Sequence, residues 1–110
     1  MKNKTILLFS RDPGGANTVV PLVPALREKG YSVKLFGKDM ALKKYSNAGL
    51  EGVDISTLLN KVNPAEVESF LCAEKADFLI TGTSASDPVE KYLWKAAEKL
   101  NVPSFAILDQ

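Results

Sequence analysis

The chain has 110 residues, 45% of them hydrophobic and 25% charged, with 14 Lys and Arg against 13 Asp and Glu. That is the make-up of one globular domain, long enough to bury roughly 60–70% of its unfolded surface without staples, and the lone Cys72 offers no internal disulfide. The absence of histidine excludes Ser-His-Asp and Cys-His catalysis and His-bearing zinc sites within the chain, and a formal charge of +1 argues against nucleic acid or an anionic membrane surface as the partner.

Met1-Lys2-Asn3-Lys4 and the apolar run that follows begin like a secretory signal, but Arg11-Asp12-Pro13 interrupts the run before a full signal core forms. Thr5–Ser10 is therefore read as a first strand. No stretch approaches the roughly 20 apolar residues of a membrane span, and with no disulfide framework a cytoplasmic location is expected.

Next, Val19, Leu22, Val23 and Leu26 recur at helical spacing and Gly30 closes the pattern. Pro21 and Pro24 fall inside it, and each removes a backbone donor, which predicts a kink or a late, irregular start. A second strand is expected over Ser32–Phe36. A second helix runs from about Asp39 to Ala48 and stops at Gly49, a residue that tolerates the left-handed conformation common after helix ends. Lys43-Lys44 marks its solvated face.

Val53–Ile55 reads as a short third strand. In the third helix Asn63 is the cap, Pro64 takes the first position and Glu66 the third, with Val67, Phe70 and Leu71 as the buried stripe. Cys72 lies next to that stripe as a packed or partly exposed thiol. Phe78–Thr81 is a fourth strand. The last helix is capped by Asp87 ahead of Pro88 and buries Val89, Leu93, Ala96, Ala97 and Leu100, with Glu90, Lys91, Lys95, Glu98 and Lys99 mostly elsewhere. Tyr92 and Trp94 flank its apolar face as packing residues. Asn101 and Pro103 close it before a fifth strand over Ser104–Leu108. The first strand and the last two are nearly continuous apolar runs, as expected of central strands covered on both faces.

Strands alternating with helices predict an α/β domain over residues 1–110, three layers deep, with a five-stranded parallel sheet. The tidy solutions with right-handed crossovers are strand order 3-2-1-4-5, Rossmann-like, or 2-1-3-4-5, flavodoxin-like. Both place the ligand at the carboxyl ends of the strands, over the loops after strands one and four.

The first of those loops holds Asp12, Gly14, Gly15, Asn17 and Thr18, and the second holds Gly82, Thr83, Ser84 and Ser86. Gly14-Gly15 lets backbone N–H groups approach an anion such as a diphosphate, or simply makes a tight turn. It fits neither GxGxxG nor a Walker loop. Thr81, Thr83, Ser84 and Ser86 either bind a sugar or phosphate or satisfy their own turn. Asp39 either mimics a ribose-binding acid or caps its helix. Asp12 and Asp109 are the carboxylates expected directly at the carboxyl edge, hence the local candidates for acid/base work. No motif specifies a cofactor or a metal-ligand set.

The order of these pieces resembles the N-terminal domain of GT-B-type glycosyltransferases and of UDP-N-acetylglucosamine 2-epimerases. The segments that carry it are the glycine-bearing loop, Pro21-Leu22-Val23-Pro24-Ala25-Leu26-Arg27-Glu28-Lys29-Gly30, Asn47-Ala48-Gly49-Leu50-Glu51-Gly52-Val53, Lys75-Ala76-Asp77-Phe78-Leu79-Ile80 and Asn101-Val102-Pro103. The resemblance implies order 3-2-1-4-5, a second domain beyond Gln110, and a nucleotide-sugar or phosphorylated small molecule held in a cleft between the two. It also implies that the loop after the first strand faces that cleft. Many of these transferases carry a catalytic histidine in that loop, where this chain has Asn17, an amide that cannot act as a base. The epimerases carry His-Gly-Asp-Thr where this chain has Thr81-Gly82-Thr83-Ser84, so Thr83 stands in place of their carboxylate. The catalytic residue stays unassigned, and two other readings remain: a stand-alone phosphate- or nucleotide-binding module, and a non-catalytic interaction domain.

Overall fold

A computed structural model of the chain describes residues 4–11, 13–38, 40–59, 63–82 and 88–107. The strands are β1 (Thr5–Ser10), β2 (Ser32–Gly37), β3 (Val53–Asp54), β4 (Phe78–Gly82) and β5 (Ser104–Ile107). The helices are α1 (Pro13–Val19), α2 (Leu22–Glu28), α3 (Met40–Asn47), α4 (Pro64–Glu74) and α5 (Pro88–Lys99), with a 3-10 turn over Ile55–Thr57. All neighbouring strands pair in parallel, in the order β3-β2-β1-β4-β5. The Rossmann-like alternative is thus the one adopted.

Alternation along β1 divides the core. Leu7 and Phe9 point to one face, where they meet Phe36, Leu79 and the buried stripes of α4 and α5. Ile6 and Leu8 point to the other, against Val19, Val23, Ala41 and Tyr45. Phe36 and Phe70 meet edge to face, 5.0 Å between centroids.

Local chemistry sets the element ends. The predicted first helix divides in two: α1 stops at Val19, and α2 restarts at Leu22 after Pro21. Pro24 then falls in the first turn of α2, where a missing N–H costs no intrahelical bond. The Asn63 side chain accepts from the Glu66 amide at 2.9 Å, which is the predicted cap of α4, and Val67, Phe70 and Leu71 are buried as expected. Gly49 after α3 has φ +76°, the left-handed closure anticipated there, and Asn101, expected to close α5, does so at φ +59°.

Three expectations about strands are corrected. β2 and β4 each run one residue further than predicted, to Gly37 and Gly82. β3 is shorter, because Asp54 turns the chain: its Oδ1 accepts from the Ser56 amide at 2.9 Å and from the Ser56 hydroxyl at 2.6 Å, so Ile55 opens the 3-10 turn instead of extending the strand. β5 is apolar but not central. It pairs with β4 at the end of the sheet order, and Ser104, Phe105 and Ala106 are exposed.

Candidate functional site

In this strand order β1 lies between β2 and β4, and the connections from β1 and β4 leave toward opposite faces: α1 and α2 join the layer carrying Ile6 and Leu8, α5 the layer carrying Leu7 and Phe9. The crevice between those departures, at the carboxyl ends of the two strands, is the topological switch point. α1 packs against β4.

The glycines are placed differently from expectation. Gly14 and Gly15 belong to the first turn of α1, which starts at Pro13, and are not part of a loop ahead of it. Proline is favoured at a first helical position, and this early start draws the glycines into the helix. Asn17 is exposed on α1 and Thr18 is half-buried. Gly82 is the buried last residue of β4. Asp12, Asp39, Thr83, Ser84, Ser86, Asp87 and Asp109 lie outside the described residues.

Thr81 is engaged in the packing of α5 on β4. It is fully buried, and its hydroxyl accepts from Trp94 Nε1 at 2.8 Å, which ties α5 to β4 and gives Trp94 the packing role expected of it. Cys72 is exposed on α4, in a groove of about 540 Å³ on the outer side of α4 and α5 whose walls include Glu68 and Leu100. Lys99 bridges to Glu68 there at 3.4 Å. That groove is formed by α4 residues and Leu100 and brings no chemistry from the strand ends. No group of three or more His, Cys, Asp or Glu able to hold a metal occurs among the described residues.

The polar residues that do gather at the carboxyl edge were not singled out from the sequence. Tyr45, on α3, is fully buried, and its hydroxyl donates to the Phe36 carbonyl at 2.9 Å. A phenol has one proton to give. The short hydrogen bond between Tyr45 and Ser10, the last residue of β1, therefore runs from the serine hydroxyl to the tyrosine oxygen. Room for the ring comes from glycine: a Cβ at Gly37 would fall 2.6 Å from Tyr45 Cε2, and Gly52 is crowded against the same ring. Burial pushes the Tyr45 hydroxyl up to about 12 from an ordinary 10.0, the Ser10 bonds oppose this, and the negative charge of Glu90 adds to it.

Glu90 is the second surprise. It sits in the first turn of α5 and is 1% exposed. Sequence reading set it away from the apolar face of its helix and looked to Asp12 and Asp109 for carboxylates at the edge. The signal was present: Glu90 precedes Leu93 by three residues and Ala97 by seven, the spacing of a single helix face. Tyr45 follows the buried Ala41 by four in the same way.

No protein-family model matches the sequence, and no curated protein is similar to it at a meaningful level. Solved structures do share its fold. The glycotransferase of kitacinnamycin superposes with a TM-score of 0.64 at 15% identity, over 97% of this chain and 30% of its own. The C-terminal domain of a hydrogenase from Pyrococcus furiosus superposes with a TM-score of 0.66 at 16% identity, over 96% of this chain and 92% of its own. This chain therefore spans about a third of the one neighbour and nearly all of the other. At these identities the likeness establishes a Rossmann-like α/β module, as the strand order does independently. No helix among the described residues is long and apolar enough to cross a membrane.

Proposed function

We propose that this chain is the acceptor-side N-terminal domain of a GT-B-like glycosyltransferase or related nucleotide-sugar enzyme, working in the cytoplasm and not active without a second domain. The observation that supports the reading is the switch point between β1 and β4, and Asn17, Thr18 and Gly82 belong to the ligand-binding set proposed for it. Asp12, Gly14 and Gly15, with Thr83, Ser84, Ser86 and Asp109, complete the proposed ligand-binding set. The glycosyltransferase neighbour, in which this layout occupies 30% of the chain, supports a cleft closed by further sequence.

A half-cleft of this kind binds and orients a ligand but lacks the opposing wall that excludes water and fixes the second substrate. The test is a calorimetric titration of the full-length protein with a panel of UDP- and dTDP-sugars, together with the reading frame past Gln110. Binding of a nucleotide sugar, with a frame continuing for about 100–200 residues, is the expected result. A frame that ends there, with no binding, refutes the reading.

The second reading is a stand-alone phosphate- or nucleotide-binding or interaction module. It is favoured by one observation, that the same layout makes up 92% of the hydrogenase domain. Binding of free nucleotide or phosphate by a chain with no second domain is its expected signature.

A further inference from the structure

The two edges of the sheet are built differently. β3 closes one side with two residues, where Asp54 turns the chain, and a short edge carrying a charge resists further pairing. β5 closes the other side within Ser104-Phe105-Ala106-Ile107-Leu108, a run with no charge, no proline and no glycine. Such a run suits a strand with a neighbour on each side. Among the described residues, β4 is the strand that pairs with it.

The register shows what β5 leaves open. Leu79 stands opposite Ser104, and its amide donates to the Pro103 carbonyl at 2.9 Å. In a parallel ladder the residue directly opposite points its own N–H and C=O the other way. The backbone groups of Ser104, and two residues on those of Ala106, therefore face outward from the sheet. Their side chains share the face of Leu79 and Thr81, on which α5 packs, and both residues are exposed. α5 thus leaves that face open over β5.

Handedness says what fits there. The crossover from β4 to β5 runs through α5, on the face that carries Leu7 and Phe9. One more parallel strand beyond β5, joined by a right-handed crossover, puts its helix on that same face, beside α5 and over Ser104 and Ala106. A single helix-and-strand unit therefore closes both openings, the outward backbone groups and the bare face. A second copy pairing edge to edge supplies a strand and no helix, and leaves the face bare. Phe105 lies on the opposite face, which the unit does not reach.

We infer that β5 is an interior strand of the full-length protein, paired on its outer edge with a sixth parallel strand, and that a helix beside α5 connects the two. The sequence after Gln110 supplies both elements, so the inference goes beyond the nucleotide-sugar reading and shares with it one premise, a chain that continues past Gln110.

The experiment follows amide hydrogen exchange by NMR in the full-length protein. Exchange at Ser104 and Ala106 is expected to be at least about 100-fold slower than in an unstructured chain, at every protein concentration. Ala106→Arg, which sets a charge beneath the added helix, is expected to lower the thermal unfolding midpoint by at least about 2–4 °C. Fast exchange at both amides, an unchanged midpoint in Ala106→Arg, or a reading frame that stops at Gln110 overturns the inference. Protection that grows with protein concentration overturns it in favour of pairing between copies. Titration of the same protein with UDP-N-acetylglucosamine keeps the two readings apart. Binding with fast exchange refutes the sixth strand alone, and protection without binding refutes the nucleotide-sugar reading alone.

Discussion

β1 and β5 are both short, largely apolar parallel strands, yet Ile6 to Ser10 are all buried while Ser104, Phe105 and Ala106 are exposed. The difference lies in position. β1 has a strand on each side and a helical layer on each face, so both sets of alternate side chains are covered. β5 pairs with β4 alone, and Phe105, in register with Ile80, points to the face away from α5. Hydrophobic content therefore marks a segment as a strand without telling how deeply the sheet buries it.

The largest test of that comparison sets Leu7→Ala against Phe105→Ala. Leu7 is fully buried, and its truncation is expected to cost about 2–5 kcal/mol by urea unfolding. Phe105 is 55% exposed, and its truncation should stay within about 0.5 kcal/mol. Comparable losses at the two sites would mean that β5 is covered in solution.

Tyr45→Phe probes the polar end of the well-covered half, with an expected loss of about 1–3 kcal/mol at neutral pH as the Ser10 and Phe36 partners are left unmet. It also has a pH signature. The hydroxyl titrates higher in the folded protein than in the unfolded chain, so the folded state holds its proton longer, and the associated stability is complete below pH 10.0 and lost as pH rises toward about 12. The difference between wild type and Tyr45→Phe should shrink by about 2–3 kcal/mol across that window. A difference independent of pH would place Tyr45 in contact with water.

The smallest effect is at the start of α4, where Asn63→Ala removes one cap bond and should cost about 1 kcal/mol. A much larger loss would show that the turn before α4 supports more than its own helix. The same measurement on Asn63→Asp should recover most of the stability.

Much of the fold was legible in residue order because its causes are local. Pro64 after Asn63, Gly49 after α3 and Asn101 after α5 fix helix ends through backbone conformation and one or two hydrogen bonds, all within a few residues. The order 3-2-1-4-5 was one of two permitted by handedness, and only the pairing of β1 with both β2 and β4 chose between them. The early start of α1, which takes in Gly14 and Gly15, was not legible. Neither was the depth of burial of β5.

The candidate site divides along the same line. Sequence by itself directed attention to the carboxyl edge, since alternating strands and helices favour ligand crevices there wherever strand order reverses. Tertiary structure alone decided the polar contacts at the end of β1. Ser10 and Tyr45 come from β1 and α3, 35 residues apart in sequence. Their meeting depends on which layer each helix joins and on glycines at 37 and 52 that admit the Tyr45 ring. Desolvation and hydrogen-bond direction act through space, so no local pattern records them before the chain has closed around them.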